Sequence, residues 1–336
     1  MRKQYKIYLD KKDINDATSY YINILKTAVE EKGFECNITH KTSNINSEDI
    51  VIVVKVTSFF RVFKKNPKQK IIIWFQGVQP EELLISDTFF IKKFVYYCIL
   101  RALELLAIKK AKSILFVSEA MAQHYKSKYH YHKDNYFIMP CFNLPLNKES
   151  FFINTKYDEP NFVYAGSMDK WQCIKETIQN FNHIKKNILN AKLTILTNQQ
   201  SLAQKIVLEN DGSQISIKYV EKELLHTELM KYKYGFILRN DITVNNVSTP
   251  TKINSYMSSG IIPIISTCIK DFNKVSSQAN YILKISQIND FNNNALIVRN
   301  FENKKINPVE IYNEFKDIFN KYYNTDFYIK ELKNFF

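Results

Sequence analysis

Short, uninterrupted apolar runs constrain this chain most. Residues 50–54 (IVIVV), 71–75 (IIIWF) and 114–117 (ILFV) carry no polar position. A strand with one wet face would alternate, so runs of this kind predict parallel strands covered on both sides. Stretches of helical length separate them: 17–32, ended by Gly33, then 89–112, then 119–128 after Ser118. With strands at 5–9 and 136–139, the first half reads as a doubly wound α/β unit. Residues 144–160 then turn polar, with two prolines and no periodicity, and are expected to link two domains. A second series follows, with strands at 162–164, 193–196, 215–219, 236–238, 261–265 and 281–285. Its helices are expected at 172–188, 201–208 and 222–231, and the tail 309–336 reads as one or two amphipathic helices. The expected fold class is α/β with two Rossmann-like domains, the first covering residues 1–155 and the second starting at 156.

The formal charge is +14, with 45% hydrophobic and 24% charged residues, as in a globular protein with an acidic partner. Charge alone leaves nucleic acid, anionic membrane and phosphorylated substrates open. Five widely spaced cysteines without CxxC or a Cys/His cluster support neither a zinc site nor a disulfide framework, so buried free thiols in a reducing cytoplasm are expected. The first residues, MRKQYKIYLDKKD, lack the apolar core of a signal peptide. The six histidines have no metal spacing, and no metal is expected. The absence of GxxxxGK[ST], GxGxxG and GxSxG argues against P-loop, dinucleotide and α/β-hydrolase chemistry.

The stretch 235–266, GFILRNDITVNNVSTPTKINSYMSSGIIPIIS, looks built for an anion. An apolar strand ends at Arg239, and a polar loop leads to a helix with Thr249 as expected N-cap, Pro250 at the first helical position and Gly260 past the end. Lys252 falls in the first turn. Helix-start N–H groups and the two cations suit a diphosphate. A second junction, FVYAGSMDKWQ, turns at Gly166 and Ser167 and places Lys170 before a helix expected near Gln172. A third, IIIWFQGVQPEE, puts Gln76 and Gly77 at the end of a buried strand. Glu81 and Glu82 read either as the acidic first turn of a helix or as acceptor-binding groups, one of them a base if the anomeric centre were inverted.

Two stretches bear on membranes. Residues 58–70, SFFRVFKKNPKQK, interleave aromatics with cations, and 89–112 is apolar but broken by Lys92, Lys93, Arg101, Glu104, Lys109 and Lys110. The second is a poor span. It reads either as a core helix or as an interfacial one, so contact with anionic membrane would run from Phe59 to Lys70 or from Phe89 to Lys112. The same mixture carries no RNP-type or KH-type signature, and no nucleic-acid partner is expected.

The pattern R–polar loop–P-x-K-I-x-x-Y-M-x-x-G-x-x-P-I-I, preceded by Y-A-G-S-x-x-K-W, resembles the donor-binding domain of bacterial GT-B glycosyltransferases, above all family 4 enzymes of capsule and lipopolysaccharide synthesis. WFQGVQPEE, VSEAM and MPCFN are similar to the same group. The resemblance implies two domains facing across a cleft: 1–155 for the acceptor, 156–315 for the donor, and a C-terminal helix, 316–336, crossing back to the first. It implies Lys170, Arg239 and Lys252 on the diphosphate. Gly166, Ser167, Thr249, Pro250, Ser255 and Tyr256 would lie near the nucleotide, and Tyr219 and Glu221 near its base. Gln76, Gly77, Glu81 and Glu82 would border sugar or acceptor. The implied activity is sugar transfer from a nucleotide-diphosphate-sugar to a glycan or lipid-linked acceptor at the inner face of the cytoplasmic membrane, retaining and metal-independent, with no cofactor. The family's two acidic residues are replaced here by Val247 and Ser255, which motivates a second reading as a non-catalytic nucleotide-sugar-binding subunit.

Overall fold

The computed structural model describes residues 4–10, 16–85, 90–212 and 214–336. Of the positions singled out above, Phe89 and parts of the N-terminal segment lie outside these. The chain forms two compact units, one of residues 1–143, 246–249 and 324–336, the other of 144–245 and 250–323.

In the first unit the elements run β1 (Tyr5–Tyr8), α1 (Asp16–Glu31), β2 (Cys36–Thr39), β3 (Ile50–Val53), α2 (Val56–Lys65), β4 (Lys70–Phe75), α3 (Gln79–Ile85), α4 (Phe90–Lys110), β5 (Ser113–Phe116), α5 (Glu119–Tyr129) and β6 (Tyr136–Ile138). All strand pairs are parallel, in the order β2-β1-β3-β4-β5-β6. Every residue of β3 and β5 is buried, as two-sided coverage requires. The second unit runs β7 (Asn161–Ala165), α6 (Ile174–Asn187), β8 (Lys192–Leu196), α7 (Gln200–Glu209), β9 (Ser216–Lys218), α8 (Lys222–Leu229), β10 (Tyr234–Ile237), α9 (Thr243–Asn246), α10 (Thr251–Ser258), β11 (Ile262–Ser266), α11 (Lys270–Val275), β12 (Leu283–Ile285), α12 (Phe291–Glu302) and α13 (Pro308–Tyr322). Its sheet is also parallel, ordered β12-β11-β10-β7-β8-β9. The last helix, α14 (Thr325–Phe335), belongs to the first unit. There Tyr20 bonds Thr325, the Tyr5 hydroxyl donates to the Phe336 carbonyl, and Phe335 packs on Phe137.

The α/β class and the two Rossmann-like units agree with the sequence reading. Details differ. The contacts divide the chain at 143/144 and 323/324, where the sequence suggested 155/156 and 315/316. The reason is packing: Phe151, fully buried, meets Tyr312 and Phe315, so the polar segment 144–160 is part of the second unit, and α13 with it. The helix expected at 172–188 starts at Ile174, because Cys173 adopts a left-handed conformation (φ 53°) after a single 3-10 turn, Lys170–Gln172. Thr249 does not cap α10. Pro250 holds the cap position with no side-chain bond, and the Thr249 hydroxyl instead accepts from the Cys141 N–H. All five thiols are unpaired, but Cys98 is exposed on α4 rather than buried.

Helix α4 is two-faced along its length. Its C-terminal half buries Glu104, Ala107 and Ile108, and Glu104 takes hydrogen bonds from Tyr125, Tyr129 and Lys128. Its N-terminal half exposes Phe94, Val95, Tyr96 and Ile99. Among the described residues no helix is long and apolar enough to cross a membrane.

Segment 144–160 is held by a buried lysine. Lys156, 5% exposed, donates to the carbonyls of Ser150 (3.0 Å) and Ser259, the latter at the C-terminal end of α10. Burial pulls this lysine down to about 7. His226, which bonds the Ser259 hydroxyl at 3.0 Å, is lowered by burial and then by Lys156. With the folded value near 7 and the unfolded one at its ordinary 10.5, the unfolded chain binds more protons between these limits. Stability contributed at Lys156 therefore rises with pH across that window, by at most about 1.4 kcal/mol per pH unit. From pH 7.5 to 9, above the histidine range, the melting temperature of wild type is expected to gain on that of Lys156→Met. A constant difference between the two would contradict this.

Candidate functional site

In the second sheet the strand order reverses between β7 and β10, which pair side by side while their connections leave in opposite directions. Parallel sheets bind ligands at the carboxyl edge of such a reversal. Two candidate cations meet there. Arg239 follows β10, with its backbone N–H donating to Ser266 Oγ (2.7 Å) and Nη1 to the Leu238 carbonyl (2.8 Å). Lys252 comes from the first turn of α10.

Both converge on Gln172. Arg239 Nη2 lies 2.6 Å from Gln172 Oε1 and Nη1 3.1 Å from the Gln172 carbonyl, while Lys252 Nζ lies 2.5 Å from the same Oε1. Lys252 also sits 4.4 Å from the centre of the Tyr164 ring and 3.2 Å from its hydroxyl. Gly166 makes room for it. A Cβ at this position would come within 2.5 Å of Lys252 Cε and Nζ, and its φ of +149° disfavours any side chain. Tyr256, on the same helix as Lys252, anchors the β7 end by accepting from the Ala165 N–H at 2.8 Å.

The electrostatics follow. Arg239 is 3% exposed. Burial holds its guanidinium below the ordinary arginine value. Burial and then the Arg239 charge hold the Lys252 ammonium well below the ordinary lysine value, against a smaller upward pull from Asp169. Two like charges thus share one uncharged oxygen, beside a helix N-terminus that no side chain caps. Such an arrangement is costly until a counter-charge arrives, and an anion with several oxygens would supply it.

The other positions fall into three groups. Ser167 bonds Asp169 at 2.6 Å beside the site, and Ser255 is tied back to the Thr251 carbonyl on its own helix. Lys170 is exposed on the 3-10 turn and stands outside the buried pair. Tyr219 and Glu221 are exposed after β9, two strands from β7 at the same edge of the sheet. Val247 is buried, with its carbonyl accepting from Ser118 Oγ at 2.6 Å. Sequence reasoning missed Gln172 and Tyr164. Both lie in the quoted FVYAGSMDKWQ junction, but only the third dimension shows that distant cations reach them.

In the first unit, Gln76, Gly77 and Glu82 line a cavity of about 200 Å³ at the ends of β3 and β4. Glu82 Oε1 accepts from the Val78 N–H at 3.1 Å and would lie 2.1 Å from a Cβ at Gly77. Burial pushes Glu82 up; the Val78 bond opposes this, and Glu104 and Glu81 add to it. Glu81 does not belong with them. Burial pushes it up, but His124 (3.4 Å) and Lys128 (2.7 Å) outweigh that and hold it at about 2, tied to α5. Both ion pairs meet Glu81 Oε1 and tie α3 to α5, and Glu81 is not among the residues that line the cavity. Among the described residues no group of three or more His, Cys, Asp or Glu could hold a metal ion.

No protein-family model matches the chain, and no curated protein matches it in sequence. Solved structures do. Sucrose-phosphate synthase from Thermosynechococcus elongatus superposes with a TM-score of 0.71 at 12% identity over 99% of this chain and 98% of that one. TarM gives 0.61 at 14% identity over 86% of this chain. The pneumococcal O-GlcNAc transferase GtfA, crystallised with UDP and GlcNAc, gives 0.62 at 11% over 87%. The chain spans only 55% and 57% of the lengths of TarM and GtfA. At these identities the likeness establishes the fold, the paired Rossmann-like architecture called GT-B.

If the buried pair awaits an anion, removing one charge relieves the empty protein. Lys252→Met is expected to melt at or above the wild-type temperature, yet to lose the upward shift that inorganic pyrophosphate gives wild type. A destabilised variant that keeps the full pyrophosphate shift would contradict the assignment.

Proposed function

We propose that the chain is a glycosyltransferase using a nucleotide-diphosphate-sugar. The observation that carries this is the buried Arg239–Lys252 pair on Gln172 at the β7/β10 reversal. The fold likeness to enzymes such as GtfA, crystallised with UDP, supports it. In this reading the diphosphate oxygens take the place that Gln172 Oε1 fills between the two cations. As the bond from the anomeric carbon to the diphosphate oxygen breaks, negative charge grows where Arg239 and Lys252 already point. The acceptor hydroxyl bonds to the same face of the anomeric carbon and passes its proton to the departing diphosphate, so configuration is retained and no enzyme nucleophile is needed. The two side chains and the α10 N-terminus neutralise the leaving group, and we propose no metal for that task. Tyr219 and Glu221 are proposed to meet the base, and Lys170 to reach the phosphates when donor is bound.

The proposed acceptor is a glycan or lipid-linked saccharide of a cell-surface polysaccharide. Exposed Phe94, Val95, Tyr96 and Ile99, with Lys92 and Arg101 on the same helix, are proposed to rest on an anionic membrane. The protein is expected to co-sediment with phosphatidylglycerol vesicles more than with phosphatidylcholine vesicles, and replacing Phe94 and Tyr96 together by Ser should abolish the difference. Equal binding to both lipids, or an unaffected double variant, would remove this part.

Activity is read by nucleotide release from UDP-, GDP-, CDP- and dTDP-sugars with an acceptor panel. One donor should turn over, with EDTA without effect and Arg239→Ala slower by about 10²–10³-fold. Binding of a donor without turnover on any acceptor would favour a non-catalytic subunit, the reading suggested by Val247 and Ser255. An Arg239→Ala variant with full activity would sink the site.

A further inference from the structure

The oxygen that stands between the two cations of the second unit belongs to a side chain of the protein itself. Arg239 and Lys252 only donate, so the amide oxygen of Gln172, not its nitrogen, has to face them. Arg239 Nη1 carries two hydrogens, and the carbonyls of Leu238 and Gln172 take both. Nη2 and Lys252 Nζ are left to meet a ligand together, and Gln172 Oε1 closes both, at 2.6 and 2.5 Å. An anion oxygen bridging the same two donors would overlap it.

The backbone that carries this side chain is held. The Gln172 N–H donates to the Asp169 carbonyl at 2.8 Å, the Cys173 N–H to the Lys170 carbonyl at 3.2 Å and the Met168 N–H to Gln199 Oε1 at 2.7 Å. Gln172 is only half-buried, so rotation about its side-chain bonds carries Oε1 away while its carbonyl keeps Arg239 in place. The residue type suits such an exchange. An amide oxygen bears a partial charge, enough to order two cations and too little to neutralise them. A carboxylate of the same length would make a lasting ion pair, and a side chain without an acceptor would leave like charges facing each other.

We propose that Gln172 is an autoinhibitory side chain of this site: Oε1 occupies the anion position in the empty protein and rotates out before a phosphate oxygen bridges Arg239 and Lys252. This role rests on the diphosphate reading of the site. It reverses the effect expected of a residue that contacts the ligand, because removing a competitor strengthens binding. A contact closed about nine-tenths of the time weakens apparent affinity about tenfold.

The test is calorimetric titration of the whole protein with inorganic pyrophosphate, for wild type, Gln172→Ala and Gln172→Glu, with melting temperatures measured without ligand. Gln172→Ala keeps the backbone carbonyl on Arg239 and should bind about tenfold more tightly or better. Gln172→Glu, which keeps the bulk of the side chain, should melt above wild type and bind more weakly by about tenfold or more. Pyrophosphate bound by wild type, and equally or less tightly by Gln172→Ala, would overturn the proposal and leave the diphosphate site standing. Wild-type affinity in Gln172→Glu would overturn it in the same way. No binding by wild type or by either variant would remove the site and the competitor together, whereas binding by Gln172→Ala alone would uphold both.

Discussion

One uncharged oxygen, Gln172 Oε1, stands between two cations, and the second unit is arranged around that unfavourable contact. Arg239 is fixed at its backbone by Ser266 and at its guanidinium by Leu238 and Gln172, so it cannot swing away to water. Lys252 is pressed over Tyr164 through the gap that Gly166 leaves. Tyr256 and the Ala165 N–H lock α10 to the end of β7. Folding thus holds two like charges together in a partly desolvated site. In the proposed reading an anion relieves this repulsion, and such preorganised charge suits a departing diphosphate.

The first unit solves a different problem. Its carboxylates are sorted by their partners. Glu104 is fully buried but receives three donors, and Glu81 is held ionised between His124 and Lys128, so both act as internal ties among α3, α4 and α5. Glu82, one residue from Glu81, faces a cavity instead. Adjacent acidic residues on a helix point about 100° apart, which is enough to turn one toward α5 and the other toward the cavity.

Much of the fold was legible because buried parallel strands leave continuous apolar runs; IVIVV and IIIWF could hardly be anything else. The strand that escaped notice, β2, is an edge strand of four residues, CNIT, with two polar positions and two exposed ones. Helix α12 was hidden by FNNNALIVRNFE, whose asparagines read as loop although Asn294 is buried against Asn180 and the Ile288 carbonyl. Arg239, Lys252 and Gly166 were readable from strand ends, helix starts and glycine. Gln172 was not, since its importance comes from cations some 67 and 80 residues away. Thr249 misled because a capping residue before proline is a sound local signal, and here a tertiary bond to Cys141 took the hydroxyl.

The central claim is that burial and the Arg239 charge hold the Lys252 ammonium well below its ordinary value until a diphosphate neutralises both cations. Calorimetric titration of the whole protein with a nucleoside diphosphate, between about pH 8 and 10 in buffers of different ionisation enthalpy, measures this directly. The phosphates are themselves fully ionised near pH 8, so protons taken up on binding come to the protein. The account predicts net proton uptake and an affinity that falls as pH rises. Binding with no proton uptake, or with affinity that grows with pH, would contradict it.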